Sequence, residues 1–344
     1  MHRLTLLLLL LVPGLATAAT YHVGPTRSYT SLPDLFNAVT LGPGDLVTVD
    51  YAVYPGGIVM RSDDGGSAAS PVVIRGIRNS AGDRPRLNGG AAVIEFRLAD
   101  HVVFEGFEIT GNSQTTRCVY HHSDDLTLRD VLVHACLQHG IQSADQDSGS
   151  LTIEYSEVYD AGSGTHRHPL YVASDEVAHP GSVFRLRYSY IHGGNGGNLI
   201  KSRAERNEIH YNWLKGGYYR ELELIGPDPD GTPAGWTENI AREDSDVVGN
   251  VIVHTSDSSV VRAGGDGGGG QTNGRYRFVN NTVIFRGGGR TVFQLFDGID
   301  SIQMYNNVFL RDDGGSELRI MDDDDAVWVG GAPRMIGSNN WVQS

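Results

Sequence analysis

From about residue 100 onward the chain repeats one short pattern. A few residues alternate between apolar and polar, a turn position follows, and an apolar pair closes the phrase. It reads Phe-Glu-Gly-Phe-Glu-Ile at 104–109, Leu-Arg-Asp-Val-Leu-Val at 128–133, Ile-Glu-Tyr-Ser-Glu-Val at 153–158 and Leu-Arg-Tyr-Ser-Tyr-Ile at 186–191. It continues as Ile-His-Tyr-Asn-Trp-Leu at 209–214, Val-Val-Gly-Asn-Val-Ile at 247–252, Phe-Val-Asn-Asn-Thr-Val at 278–283 and Met-Tyr-Asn-Asn-Val-Phe at 304–309, with Ser-Asn-Asn-Trp-Val at 338–342 as a ninth copy. Alternation with period two marks strands with one buried face, which excludes a helical repeat. The fourth place is held by Phe107, Val131, Ser156, Ser189, Asn212, Asn250, Asn281, Asn307 and Asn340, at spacings of 23 to 38 residues.

A constant strand with an elastic, Gly- and Asp-rich connection is what a stacked coil requires. Every coil must bury the same positions, while outer loops lengthen freely. Five Asn in register predict an asparagine ladder, each side-chain amide bonding along the stack. A propeller needs several antiparallel strands per blade and a longer period. The pattern therefore predicts an all-β chain folded as one single-stranded parallel β-helix over 19–344. Near its start, Tyr21-His22-Val23 reads as a strand and Ser31–Val39 as a short amphipathic helix with Ser31 or Thr30 as its cap, placed to cover the open end of the stack. Leu46–Val49 opens the first coil.

Residues 1–18 carry a basic start, an apolar run from Leu6 to Leu11 and an Ala16-Thr17-Ala18 end, the layout of a secretory signal peptide. The expected location is secreted or periplasmic, where Cys118 and Cys136 either bridge or stay as two small buried side chains. Composition narrows the rest. The 344 residues carry 27 Lys plus Arg against 41 Asp plus Glu, a net charge of −14, which argues against a nucleic-acid partner. With 40% hydrophobic residues the chain is not disordered, and 13 Pro beside 45 Gly exclude collagen. No apolar run is long enough for a membrane span. A monomer is expected.

Strand alternation identifies the candidate site. If Leu170, Val172, Ile200, Leu222 and Leu224 face inward, then Tyr171, Lys201, Arg203, Glu221 and Glu223 face outward, followed by Arg262 one coil later. Tyr, Lys, Arg and Glu on neighbouring coils form a polar stripe suited to successive sugar rings, with Gln142 as a further substrate-binding side chain. Lys201 is singled out because the chain has only two lysines, Lys201 and Lys215. A general base must lose its proton, which Lys does and Arg does not. Arg203 or a bound cation would neutralise a substrate carboxylate beside it. Tyr171 or His168 would protonate the departing glycosidic oxygen. The plainer alternative is an ion pair of Lys201 with Glu221 or Glu223. His166-Arg167-His168 is equally compatible with ordinary surface. The acids Asp322–Asp325 lack the spacing of a calcium loop, and Gly264–Gly270 lacks the setting of a phosphate loop.

The repeat resembles the exported right-handed parallel β-helix proteins of the pectate-lyase-like superfamily over nearly the whole mature chain, which implies a right-handed coil. Within it, Asn198-Leu199-Ile200-Lys201-Ser202 followed by Arg206-Asn207-Glu208-Ile209-His210-Tyr211-Asn212 is similar to a stretch of the alginate lyase and chondroitinase B group. There a Lys in such a strand is the base and an Arg one coil later assists. By that likeness Lys201 takes the base position, and calcium is the cofactor to test for. The next coil here carries Glu221-Leu222-Glu223-Leu224 in place of that group's Arg-His pair. Asp228-Pro229-Asp230 is the nearest string to the Asp-Pro-His-Asp motif expected of an epimerase.

Three functions compete. The first is a secreted polysaccharide lyase acting on a uronate-containing glycan by β-elimination. The second is a glycoside hydrolase using Glu221 and Glu223 as an inverting pair. The third is a non-catalytic carbohydrate-binding surface protein.

Overall fold

The computed structural model describes residues 18–227, 243–265, 272–296, 299–322 and 334–343. The expected leader (except Ala18), Asp228-Pro229-Asp230, most of the Gly264–Gly270 run and Asp323–Asp325 lie outside the described residues.

Three long sheets run along the molecule, and every strand pairing within them is parallel. Sheet I has 12 described strands, from Thr20–Val23 to Arg334–Ser338; sheet II has 11, from Val53–Pro55 to Trp341–Val342; sheet III has 10, from Ile58–Met60 to Arg319–Met321. One coil visits each sheet once, as in Leu126–Arg129, Leu132–His134 and His139–Ser143. The expected parallel β-helix is thus present.

The period-two pattern sets the core. In sheet I, Ile74, Phe104, Leu128, Ile153, Leu186, Ile209, Val247, Phe278 and Met304 occupy one register position on successive coils, and all are buried. Burying each such side chain contributes about 1.5–3 kcal/mol relative to leaving it in water. The outward positions of the same sheet alternate in charge. Arg75, Glu105, Arg129, Glu154 and Arg187 bond in sequence, so much of the chain's arginine is used along this face.

The nine repeats mark the corner from sheet I to sheet II. At each, the third residue of the phrase adopts positive φ: Gly106, Asp130, Tyr155, Tyr188, Tyr211, Gly249, Asn280, Asn306 and Asn339, between 51° and 79°. The fourth residue closes the corner. Asn212, Asn250, Asn281, Asn307 and Asn340 form the ladder, the first four each donating from the backbone N–H and Nδ2 to Oδ1 of the next at 2.8–3.0 Å. Each Nδ2 also donates to a carbonyl of the preceding coil, as in Asn281 to Val247 O at 2.9 Å. Upstream, Ser156 and Ser189 take the same role with a hydroxyl, accepting from the N–H of Val131 and Ser156 at 3.1 Å. Tyr155, Tyr188 and Tyr211 hold a left-handed backbone that bulky residues disfavour, and their rings stack at 5.2 and 5.6 Å along the corner.

The helix spans Leu32–Ala38. Ser31 Oγ accepts from the Asp34 N–H at 3.2 Å, Pro33 sits in the first turn, and Leu32 and Leu35 are buried. It packs against Ile58–Met60, the end strand of sheet III.

Cys118 and Cys136 form a disulfide with Cα atoms 5.8 Å apart. The bridge ties a sheet III strand to the following coil across 18 residues of sequence, and closing a loop of that length stabilises the fold by about 3 kcal/mol in the chain-entropy view. Reduction, or the double change Cys118→Ala with Cys136→Ala, is expected to lower the thermal midpoint by that equivalent. Coincident melts with and without reductant would contradict it.

Candidate active site

Two rows of side chains meet on the outer side of sheet III. The first follows the register of the strands: Tyr120, Gln142, Tyr171, Lys201, Glu223, Arg262 and Gln294 are successive partners. The second lies two residues ahead of the inward Ile141, Leu170, Ile200 and Leu222, where the chain is still turning into the sheet. It comprises His139, His168, Asn198 and Arg220. Between the rows opens a cleft of about 330 Å³, lined by Thr165, His166, His168, Asn198, Lys201, Tyr219, Arg220, Glu223 and Arg262.

Glu223 is the hub of the cleft. Its side chain is only 2% exposed, and three groups meet it: Arg262 Nη1 at 2.8 Å, Asn198 Nδ2 at 2.5 Å and Lys201 Nζ at 3.5 Å. The Lys201 side chain is 14% exposed, and Nζ lies 5.7 Å from the centre of the Tyr171 ring. Gln294 Oε1 accepts from Arg220 Nη2 at 2.7 Å and from Arg262 Nε at 3.2 Å. Two guanidinium groups are thereby held side by side. Burial, with the Arg262 charge beside it, pushes Arg220 down to about 10. A desolvated pair of like charges facing a cleft is a natural seat for an anion.

His168 and His139 are neutral. Burial, reinforced by Lys201, pushes His168 down to about 3. Its Nδ1 accepts from the Asn198 N–H at 2.8 Å, which leaves the ring proton on Nε2. Burial, with His168 beside it, also pushes His139 down to about 3, and His139 Nδ1 accepts from the His168 N–H at 3.2 Å. The Tyr171 ring lies 5.6–5.7 Å from both imidazoles.

The structure brings together Lys201, Tyr171, His168, Glu223 and Arg262, with Gln142 one coil beyond Tyr171 in the same row. It corrects the placement of two expected residues. Glu221 does not face the cleft: it is fully buried, its Oε2 2.5 Å from His254 Nδ1, because the chain at 216–221 folds over the start of its strand. It therefore forms no open carboxylate pair with Glu223. Arg203 does not stand beside Lys201 in solvent either. It is 3% exposed at the strand end, where Nη1 donates to Gly226 O at 2.6 Å as the chain turns toward sheet I. The guanidinium groups at the cleft are Arg262 and Arg220. Strand alternation could not find Arg220, Asn198 or Tyr219, since period two ends where the strand does.

The corner holding Arg203 also buries carboxyls. Among the described residues neither oxygen of Glu176 nor of Glu243 has a hydrogen-bond partner. Burial, with Glu205 and Asp175 nearby, pushes Glu176 up to about 8, and burial raises Glu243 and Glu205 as well. An acid whose folded value is raised holds its proton more tightly when folded, so stability falls as pH climbs from about 4.5 toward 8. The lowered His139 and His168 act oppositely up to about 6.5, so the thermal midpoint is expected to decline between about 6.5 and 8, with Glu176→Gln flattening that decline. A midpoint that rises across that upper range would contradict this.

Among the described residues no group of three or more His, Cys, Asp or Glu side chains converges as a metal site would, and no helix is long and apolar enough to cross a membrane.

No family model matches the chain, and no curated protein matches it. Solved structures do. Pectate lyase Pel9A aligns with a TM-score of 0.59 at 15% identity, covering 93% of this chain and 82% of that one. An alginate lyase from Paenibacillus sp. strain FPU-7 aligns with a TM-score of 0.58 at 13% identity, covering 94% and 99%. The fold is the pectate-lyase-like parallel β-helix. A GH136 lacto-N-biosidase from Eubacterium ramulus aligns with a TM-score of 0.50 at 12% identity, covering 94% and 68%. One pectate-lyase-like scaffold thus hosts proteins named for different chemistries, and the choice among them has to come from the site.

Proposed function

We propose that the chain is a secreted polysaccharide lyase that cleaves a uronate-containing glycan by β-elimination in the cleft beside Lys201. One observation carries it: one of only two lysines in the chain stands at a cleft wall into which two adjacent guanidinium groups converge. In this reading Arg220 and Arg262 bind the uronate carboxylate and take up the charge that spreads onto it in the transition state. Lys201 Nζ removes the proton from the carbon bearing that carboxyl. The released electron pair forms the new C=C bond, and the glycosidic C–O bond breaks. The departing oxygen takes its proton from the Tyr171 hydroxyl, which recovers one from the Lys201 ammonium. His168, held neutral, hydrogen-bonds a sugar hydroxyl through Nε2. Gln142 and Tyr120 extend the row for neighbouring sugars. The locally cationic wall offsets the chain's net negative charge, which would otherwise repel a polyanion.

The disulfide fits export by the 1–18 leader into an oxidising compartment. We also infer that the coil is right-handed, as parallel crossovers almost always are, and that the helix Leu32–Ala38 closes its first end. The hydrolase alternative loses its proposed carboxylate pair with Glu221 locked to His254.

The test uses alginate, polygalacturonate, glucuronan and a glycosaminoglycan, each native and with its carboxyls reduced to alcohols. Native glycan of at least one type should gain the near-ultraviolet band of an unsaturated uronate, and its reduced form should not. Because arginines meet the carboxylate here, a chelator should leave the rate unchanged; turnover of the reduced glycan would overturn the proposal.

A further inference from the structure

Outside the cleft, Glu221 and His254 form a buried titratable pair with no direct part in the chemistry. Glu221 and His254 are both fully buried, and they link two consecutive loops at the entrance edge of sheet III. We propose that the Glu221–His254 pair is a positioning device that fixes Tyr219 and Arg220 at the cleft wall; it rests on the reading of the cleft as a uronate site.

The hydrogen bonds around the pair support this. Glu221 Oε1 accepts from the Gly217 N–H at 3.2 Å, closing the turn 217–221 on itself. Its Oε2 is hydrogen-bonded to His254 Nδ1 at 2.5 Å, while His254 Nε2 donates to Ser258 O at 2.7 Å and closes the next loop the same way. The second loop then reaches back to the first. Ser256 Oγ donates to Tyr219 O, and Ser259 Oγ accepts from Arg220 Nε at 3.1 Å. From the other side the Arg220 N–H donates to Asn198 Oδ1 at 3.2 Å. Phe285 packs edge-on against the His254 ring, with centroids 5.4 Å apart, and Gly289 lies so close that an added Cβ would be 2.8 Å from Nε2. The imidazole therefore has one orientation. Neither member reaches the cleft, yet both loops that set the Arg220 guanidinium are anchored on them.

The variants are His254→Ala and His254→Asn, whose amide still donates to Glu221. They are read in the full-length protein with tetragalacturonate and an alginate tetramer as probes. His254→Ala should lower kcat/KM about tenfold or more through a higher KM together with a lower kcat, since Arg220 holds the carboxylate in both the bound and the transition state, and His254→Asn should recover most of the loss. Amide exchange of 217–221 should quicken in His254→Ala while the strands at 247–252 stay protected. If His254→Ala does not fold, Glu221→Gln is read in its place, with a smaller change in the same direction. Unchanged KM and exchange, a fall in kcat alone, or exchange rising through the whole of sheet III would overturn the proposal. If the wild-type chain cleaves neither probe, the KM comparison moves to whichever of the four glycans it does cleave; if it cleaves none of the four, the functional reading fails, and the exchange data still decide whether the pair holds this turn.

Discussion

Replacing Lys201 by Ala is expected to lower kcat by roughly 10²–10⁴-fold, the range that a positioned proton acceptor contributes. Elimination cannot start without a group that takes the proton, and the other lysine, Lys215, lies on a sheet II strand away from the cleft. Lys201→Arg separates charge from basicity. It restores a cation beside Glu223 but supplies no group able to give up its proton near neutral pH, so it should be nearly as inactive as the Ala variant. Neither change should unfold the chain. Glu223 keeps Arg262 at 2.8 Å and Asn198 at 2.5 Å, and the inward neighbours Ile200 and Ser202 are untouched. Single-turnover assays with matched circular dichroism would check this. Full activity in either variant would reduce Lys201 to an ion-pair partner of Glu223.

The largest stability effect should come from the ladder. Asn281→Ala removes an acceptor for the Asn250 N–H and Nδ2, both at 3.0 Å, and a donor to Val247 O at 2.9 Å and to Asn307 Oδ1 at 3.0 Å. Asn281 is 2% exposed, so water does not replace these partners. Stranding the buried Asn250 N–H and Val247 carbonyl costs about 1–3 kcal/mol each, which puts the total loss near 2–6 kcal/mol. Asn281→Ser should lose less, because Ser156 and Ser189 already perform the same bond with a hydroxyl. Asn340→Ala, with no described rung beyond it, should also lose less. Urea melts of the three variants measure the order. An Ala variant at 281 as stable as the wild type would mean that the ladder follows the coil rather than holding it.

The corner phrases explain why the architecture was legible and the site only in part. Stacked coils force the same physical solution at every level. Asn212 through Asn340 therefore repeat in the sequence because each must receive the N–H of the coil before it. The same logic placed Tyr171, Lys201, Glu223 and Arg262 in one outward row. It failed where the strands stop. Arg203 is the last residue of its strand and bends under the corner, and Glu221 precedes its strand and folds beneath the 216–221 turn. Arg220 and Asn198 reach the cleft from that same non-alternating zone, so no periodicity marks them. The left-handed backbone at Tyr155, Tyr188 and Tyr211 was hidden because tyrosine is an improbable residue there. The pairing of Cys118 with Cys136 likewise depends on coil registration, which two cysteines alone cannot reveal.

The most direct measurement is the mass balance of a single cleavage by the wild-type protein on a uronan oligomer that it degrades. Proton abstraction at the cleft conserves mass, so the fragments should sum to the parent and one should carry a double bond at its new non-reducing end. Fragments that together weigh one water more than the parent, with no double bond, would mean hydrolysis and would contradict the role given to the 201 amine.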